Sequence, residues 1–252
     1  MLAALLGCLL QAPSASALRL WPFGSRRNAP LLPPKEEPKP VVREKPPAEA
    51  VPSVDRLEKL AKGGSAGAQL ALGKIYFEGA AGVKQDYGKA VQWFRKSADQ
   101  GNALAMFNYA VCLDAGFGVA KDLPKAMEYY RMAADLDVPE AQLNLAIMLS
   151  ERGQHADALT YYRLLAQQGH TGAMRRAADI LFEGKAGAKK PAEAIRFLQM
   201  AAERGDSRAQ VRLADCYQRG DGVAADYREM FNWLSLAAQN GDPEAQAKLA
   251  YC

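Results

Sequence analysis

The sequence predicts an all-α protein, an α/α solenoid in which helical hairpins stack in chain order into a right-handed superhelix. The first observation is an alanine near the start of a helix that recurs at intervals of 37, 36, 32, 36 and 36 residues. These anchor alanines are Ala68, Ala105, Ala141, Ala173, Ala209 and Ala245. The second observation is that apolar residues follow the anchors after four and eight positions, which is the spacing of one helix face. A hairpin of about 36 residues cannot bury its apolar face alone, so it must stack on its neighbours.

The second helix of each unit is marked by an aromatic residue. These residues are Trp93, Tyr129, Tyr161, Phe197 and Trp233, and their intervals of 36, 32, 36 and 36 match those of the anchors. A small pair follows, and then a residue that is usually Gly. Glycine ends a helix because it adopts the left-handed backbone conformation without a steric penalty. We expect the aromatic rings to fill the space between units.

The repeats divide residues 54–252 into five full units and two caps. The full units are predicted at about 66–101, 102–137, 138–169, 170–205 and 206–241. The half unit 242–252 is expected to cap one end, with Asp242 as the N-cap of a helix from Pro243 to Cys252. A short helix from Val54 to Lys62 is expected to cap the other end. The third unit lacks the Gly-containing turn between its helices, which accounts for its shorter interval.

Residues 1–53 precede the repeats and carry two different signals. Residues 1–17 contain no charged side chain and end in small residues, which is typical of a signal peptide cut after Ala17. The run from Leu5 to Cys8 resembles a lipoprotein box, so a lipidated Cys8 is an alternative, as is an uncleaved tail or a misassigned start. Residues 18–53 hold nine of the fourteen prolines and are expected to form a disordered, extended linker.

The charge of the chain argues against a nucleic-acid partner. Lys and Arg exceed Asp and Glu by 32 to 28, and residues 18–53 alone contribute seven basic and four acidic residues. The remainder is nearly balanced and lacks the clustered cations that displace counterions from phosphates. The apolar run from Leu2 to Leu10 is far shorter than the roughly 20 residues that span a bilayer, so no integral membrane span is expected.

A pattern in the first unit returns in part in the fifth, at Ala209, Tyr217, Gly220, Gly222, Val223, Asp226, Trp233, Ala237, Ala238 and Gly241. In the first unit it consists of Ala68, Leu72, Gly73, Tyr76, Gly79, Gly82, Val83, Asp86, Lys89, Ala90, Trp93, Lys96, Ala98 and Gly101. This pattern resembles the Sel1-like repeat family, a relative of the tetratricopeptide repeat. Asp137 in place of a closing Gly, and Gly187-Ala188 in place of a Gly-Val pair, depart from the pattern and leave the loop shape open. The resemblance implies a scaffold: exported bacterial members hold protein complexes together, regulate envelope signalling or engage host proteins, and eukaryotic lumenal members act as adaptors.

One column of the first helices suggests a binding surface. In tetratricopeptide relatives, the position three residues after the anchor faces the groove. This column contains Ala71, Asn108, Asn144, Arg176, Arg212 and Lys248. We expect Asn108 and Asn144 to bond the backbone of an extended peptide, because an amide both donates and accepts. Arg176, Arg212 and Lys248 would receive a carboxylate or acidic side chains. The alternative interpretation is that all are ordinary solvated helix positions.

The cysteines are expected to be structural. Cys112, Cys216 and Cys252 stand seven positions after an anchor, where other units have Ile or Met, which favours small buried hydrophobic side chains. Equivalent positions in stacked helices should lie roughly 8 to 10 Å apart, beyond the reach of a disulfide.

Other candidates for chemistry are few. His155 and His170 fall at turns without a nearby Cys, so no metal, cofactor or catalytic site is expected. Asp179 and Asp215 share a column and are expected at the solvated edge of the groove.

The sequence therefore favours a periplasmic or secreted, non-catalytic scaffold that binds a protein or peptide partner in a concave groove. Two other classes stay open: an envelope-polysaccharide or cell-wall assembly factor anchored through Cys8, and a penicillin-binding or β-lactamase-like enzyme. The cysteine-rich branch of the family, which is linked to penicillin binding, places two Cys in every unit. This chain does not, which weakens the enzymatic interpretation.

Overall fold

The structure is a computed structural model that describes residues 53–250 of the chain. The predicted signal peptide, Cys8, all but the last residue of the predicted linker, and Cys252 lie outside the described residues. Within residues 53–250 there are twelve α-helices and no β-strand, which confirms the all-α prediction. The helices are α1 Val54–Lys62, α2 Ala66–Glu78, α3 Tyr87–Ala98, α4 Ala103–Ala115, α5 Leu123–Asp135, α6 Pro139–Glu151, α7 His155–Gln167, α8 Thr171–Glu183, α9 Pro191–Glu203, α10 Ser207–Arg219, α11 Tyr227–Gln239 and α12 Pro243–Leu249.

The helices alternate between two roles along the chain. The even-numbered helices are the first helices of the units and contain the anchors, and the odd-numbered helices are the second helices. Every extensive helix–helix contact joins two helices that are neighbours in the chain, as a solenoid requires. None of the described helices is long and apolar enough to cross a membrane.

The two terminal helices were predicted with different success. The predicted range of α1, Val54–Lys62, is confirmed. The prediction that α12 runs to Cys252 is wrong, because the helix ends at Leu249; the last turn of a short terminal helix frays readily. Asp242 is the N-cap of α12, as predicted: its Oδ1 accepts from the backbone N–H groups of Glu244 and Ala245, both at 3.0 Å.

Small buried side chains form the contacts between helices. Five of the six anchors have no exposed surface and the sixth, Ala68, is 6% exposed. Because these buried side chains are short, two helix axes can approach closely, and the larger neighbouring residues interdigitate around the contact.

Three buried glutamines tie first helices to the second helix that precedes them. Each stands directly after an anchor and donates from Nε2 to a carbonyl oxygen in the last turn of the preceding helix. The donors are Gln69, Gln142 and Gln210, and the acceptors are Ala61, Ala134 and Ala202 at 3.1, 3.2 and 2.9 Å. Each of these carbonyls also accepts from the backbone N–H three residues later, so the amide adds a second, side-chain hydrogen bond that ties the two helices together.

Left-handed backbone after a second helix does not require glycine at every site. Gly101, Gly169, Gly205 and Gly241 adopt φ values of 87°, 90°, 82° and 83°. Asp137 stands at the corresponding place after α5 and adopts φ 58°. The turn therefore keeps its left-handed backbone conformation although Asp137 departs from the repeat pattern, because Asp tolerates that conformation better than most residues.

The second glycine of the turn between the helices of a unit lets neighbouring units fit together. A Cβ on Gly118 would lie 2.3 Å from the carbonyl oxygen of Tyr87, and a Cβ on Gly222 would lie 2.7 Å from that of Pro191. Tyr87 and Pro191 each begin the second helix of the preceding unit. A side chain at either glycine would push the turn away from its neighbour.

This contact is absent around the third unit. Only residues 152–154 connect α6 and α7, so the third unit has no such turn, and a Cβ on Gly187 of the next unit would meet nothing within 4 Å. Gly82 of the first unit is also open, since no preceding full unit lies beside it.

Gly118→Ala is expected to destabilise the solenoid more than Gly82→Ala. Both glycines have positive φ values, 66° and 77°, so both substitutions introduce backbone strain of about 1 kcal/mol or more. Only Gly118→Ala adds a clash with the Tyr87 backbone, which should cost about 1–3 kcal/mol more. Urea unfolding followed by circular dichroism measures both free energies. Equal losses would show that the turn does not hold neighbouring units together.

Candidate functional site

The predicted binding column lies on a face of the first helices that we call the first-helix face. It consists of the positions three and six residues after the anchors, and all its described residues are at least partly exposed. Position three contains Ala71, Asn108, Asn144, Arg176, Arg212 and Lys248, and position six contains Lys74, Val111, Ile147, Asp179 and Asp215.

Two ion pairs join successive first helices across this face. Arg212 of α10 pairs with Asp179 of α8 through Nη1 and Oδ1. Lys248 of α12 lies 2.7 and 2.9 Å from the two carboxylate oxygens of Asp215 of α10, and 2.9 Å from Glu244. Position three of one first helix therefore lies beside position six of the helix before it. Asp179 and Asp215 lie at a partly solvated edge, with side chains 41% and 27% exposed, but the sequence did not predict that each pairs with a cation of the next first helix.

The ion pairs change the charge that this face offers to a ligand. Burial alone would lower the pKa of Lys248, but hydrogen bonds from its ammonium group to Asp215 and Glu244 raise it above the usual value. Arg212 and Lys248 are thus neutralised within the chain. Arg176 is exposed and takes part in no ion pair among residues 53–250.

The two asparagines of the column are also partly engaged. Asn108 donates from Nδ2 to the carbonyl oxygen of Leu104 in its own helix at 2.6 Å. Asn144 forms a side-chain hydrogen bond with Tyr130, a buried residue of α5. Each amide nevertheless has further bonding capacity, because it carries two N–H donors and an oxygen with two lone pairs.

The charge and polarity of the first-helix face change along the chain. In α8, α10 and α12 it is charged and internally paired, and in α4 and α6 it is apolar between the asparagines. Two apolar side chains of this face, Val111 and Ile147, are partly exposed at position six. Beside them on the same helices lie the exposed Leu104, one residue before an anchor, and the partly exposed Phe107 and Leu143, each two residues after an anchor. Leu104 is 46% exposed. Arg176 stands where the apolar part meets the paired part.

A second surface, which the sequence did not indicate, lies between successive second helices. We call it the unit-two groove: an open groove of about 740 Å³ lined by Arg95 of α3, Tyr109 and Leu113 of α4, and residues 119–125. The following unit has a smaller groove of about 330 Å³, lined by Arg131, Leu149, Asp157, Thr160 and Tyr161.

The aromatic column explains why this surface was missed. Its rings were expected to fill the space between units; Trp93, Tyr129, Tyr161, Phe197 and Trp233 are all partly exposed, and each also packs against a cluster of buried core residues. The core is filled by the next residue in each unit, and these are Phe94, Tyr130, Tyr162, Leu198 and Leu234, at most 2% exposed. One residue turns a helix by about 100°, so neighbouring columns face different surroundings. The residue after each aromatic is always large and apolar, and this regularity was the signal in the sequence that could have identified the core residues.

The described cysteines are buried free thiols, as predicted. Cys112 has no exposed surface and Cys216 is 8% exposed. Burial raises the pKa of Cys112 to about 12 and that of Cys216 to about 11. Because the thiolate is the nucleophilic form, such thiols are poorly reactive at neutral pH.

The histidines lie at helix starts. His170 is the N-cap of α8, where its Nδ1 accepts from the backbone N–H of Ala173 at 3.1 Å, and His155 is the first residue of α7. In the part of the chain that the structure describes, no group of three or more His, Cys, Asp or Glu residues could hold a metal ion.

The repeat pattern, the helix arrangement and a family model agree on the relationship of this chain to known proteins. The model of the Sel1 repeat matches residues 66–102, 103–138, 139–170, 171–206, 207–242 and 243–252. The chain belongs to the Sel1 repeat family. Sel1 repeat proteins are typically protein–protein interaction scaffolds, and the fold is generally non-catalytic.

Two solved structures illustrate the relationship. A Sel1 repeat protein from Oxalobacter formigenes is 29% identical, with a TM-score of 0.64, over 77% of this chain and 79% of that chain. A protective antigen present in uropathogenic Escherichia coli strains, which displays an SLR fold, is 29% identical with a TM-score of 0.57, over 79% of this chain and 51% of that chain. A comparison with curated proteins found no significant match.

Cys112 and Cys216 are expected to resist alkylation by iodoacetamide at pH 8 in the folded chain. An unfolded thiol has a pKa of about 8.5, and burial raises the pKa of both thiols in the folded chain. The neutral thiols therefore contribute fully to stability below about pH 8.5, and this contribution to the free energy of unfolding is lost as the pH rises towards 11. The measurement is mass spectrometry of a Cys8→Ser, Cys252→Ser variant. Rapid labelling without urea, at the rate seen in denaturing urea, would contradict the buried placement.

Proposed function

We propose that this Sel1 repeat protein is an exported scaffold of the cell envelope that binds a protein or an extended peptide on its first-helix face. The family supports the role of interaction scaffold. The observation that supports this face is its division into an apolar, amide-bearing part and an internally paired part, with the exposed Arg176 between them.

The apolar part would supply most of the binding free energy. An extended peptide would lay alternate apolar side chains on Leu104, Val111 and Ile147, because successive residues of a strand point to opposite sides. Asn108 and Asn144 lie along the same path, and their free amide capacity matches the unpaired N–H and C=O groups of such a peptide.

Arg176 would fix the register of the peptide. A guanidinium binds a carboxylate through two charge-assisted hydrogen bonds, and this one has no carboxylate partner among the described residues. Arg212 and Lys248 would not receive the ligand as the sequence suggests, since a ligand carboxylate must compete there with Asp179 and Asp215. Their role would be to hold the first helices in position.

The envelope location rests on residues 1–17, whose composition is that of a signal peptide. Mass spectrometry of the protein isolated from cells locates the mature N-terminus. A chain that begins at Leu18 supports export, a lipidated Cys8 supports a membrane anchor, and an intact Met1 in the cytosol would contradict the location.

Arg176→Ala is expected to weaken binding of the partner about 10-fold, which is about 1.4 kcal/mol and within the range of a charged hydrogen bond. Arg212→Ala should weaken it less, because that guanidinium is committed to Asp179. The partner is first identified by placing a photo-crosslinking amino acid at Leu104 and, separately, at Ile147, and its affinity is then measured by calorimetry.

Arg196→Ala is the matched control, since it removes one exposed arginine from the second helix α9. It should leave affinity unchanged. The first-helix face is not the binding surface if a photo-crosslinking amino acid at position 196 captures the partner as well as one at position 104 or 147. The same conclusion follows if Arg176→Ala binds the recovered partner as tightly as the unaltered chain.

A further inference from the structure

The geometry points to a second docking site in the unit-two groove, which we propose binds an acidic segment of a partner protein whose carboxylates flank apolar side chains. The groove lies among α3, α4, α5 and the turn before α5, and it shares none of its lining residues with the first-helix face. The inference therefore stands independently of the function proposed above.

The rim of the groove has a positive charge that the chain does not neutralise. Arg95, Lys121 and Lys125 line it, and neither lysine is in an ion pair among the described residues. Arg95 lies 3.9 Å from Asp99, a distant and largely exposed pair. Asp122 lines the groove too, but it is committed to capping α5, where its Oδ1 accepts from the backbone N–H of Lys125 at 3.0 Å. A ligand carboxylate would meet more cation than anion here.

The floor of the groove is aromatic and apolar. Tyr109 and Tyr129 pack edge to face, with ring centroids 4.8 Å apart, and Lys125 Nζ lies 5.9 Å from the Tyr109 centroid. Leu113, Val119 and Leu123 extend the apolar lining. Leu123 is 36% exposed. A ligand that fits must therefore present apolar side chains to the floor as well as charge to the rim.

Tyr129, which packs against Tyr109 of the groove, keeps a neutral hydroxyl group. Burial raises the pKa of Tyr129, Asp99 raises it further, and Lys125 and Arg95 oppose the rise. Its neutral hydroxyl can donate to a ligand oxygen and does not repel a carboxylate.

The next groove along the chain provides an internal contrast. There Arg131 faces Asp157, which occupies the position equivalent to Lys125, 32 residues later. The third unit also lacks the turn that carries Lys121 in the second unit. The same backbone arrangement thus gives a balanced groove in the third unit and a cationic groove in the second. Lys125 occupies the place of the repeat-pattern residue Lys89, 36 residues earlier, whereas Lys121 occupies the place of Gln85.

A protein segment fits this groove better than a polynucleotide. Polynucleotide affinity comes mainly from releasing many counterions, which requires many cations along a path, and this groove has three. The apolar floor would contribute little to a phosphate backbone but would bury Leu-like side chains of a peptide.

The test uses two fluorescein-labelled peptides with the full-length chain. In one, a Leu-Leu pair is flanked on both sides by two Glu residues, and in the other every Glu is Gln. Fluorescence anisotropy should show the Glu peptide binding at least about 10-fold more tightly, and the double variant Lys121→Ala, Lys125→Ala should lose that difference.

The control is Lys84→Ala, Lys189→Ala, which removes two exposed lysines from the turns of the first and fourth units. It carries the same change in net charge and should keep the affinity, as should Arg176→Ala. Circular dichroism confirms that each variant is folded.

Several outcomes would overturn the proposal. Equal binding of the two peptides, or binding of neither, would remove the acidic segment as the occupant. Equal loss in both lysine variants would reduce the effect to net charge. Loss in Arg176→Ala would move the peptide to the first-helix face, and tighter binding of a labelled oligothymidylate would make the groove a polyanion site.

Discussion

Close contact between each first helix and the second helix before it is the constraint on which the rest of this structure depends. Buried anchor alanines allow the approach, and Gln69, Gln142 and Gln210 add a side-chain hydrogen bond across it. Because the same contact recurs at nearly every unit, equivalent residues on successive helices come into line. Surface columns, and therefore any binding face, are a consequence of this repeated interior contact.

Alignment of columns lets one scaffold carry different chemistry on its two sides. On the first-helix face, Arg212 and Lys248 meet carboxylates of the preceding helix, so their charge is used to hold helices in register, whereas Arg176 and Lys74 are exposed and in no ion pair among residues 53–250. Between the second helices, cations surround an aromatic and apolar floor in the second unit, whereas the groove of the third unit contains both Arg131 and Asp157. Local substitutions on a constant backbone are how repeat proteins acquire distinct partners without a change of fold.

The sequence predicted those features that depend on position within one repeat. The all-α fold, the bounds of α1, the cap at Asp242 and the burial of Cys112 and Cys216 follow from helical spacing and local chemistry. Features that depend on how one unit is placed beside the next were not predictable. The pairing of Arg212 with Asp179 requires the sideways offset of α8 and α10, and the groove requires the path of a turn; a period of 36 encodes neither. The aromatic column packs against the core, but the more deeply buried residues stand one position later, where a uniform apolar column is a less conspicuous signal than a recurring ring.

The short connection in the third unit divides the array mechanically. Where a full turn reaches the preceding unit, at Gly118 and Gly222, an added Cβ would meet backbone atoms of that unit. This close approach is missing before and after α7, where only residues 152–154 connect α6 and α7 and a Cβ on Gly187 would meet nothing within 4 Å. Two blocks are therefore joined by a seam without this backbone contact, held by helix packing and by side-chain contacts such as the ion pair between Arg163 of α7 and Glu193 of α9. Under a pulling force, or when a large partner binds, the solenoid would bend at this seam first. The distance between binding sites on the two blocks would then change, while each site kept its own geometry.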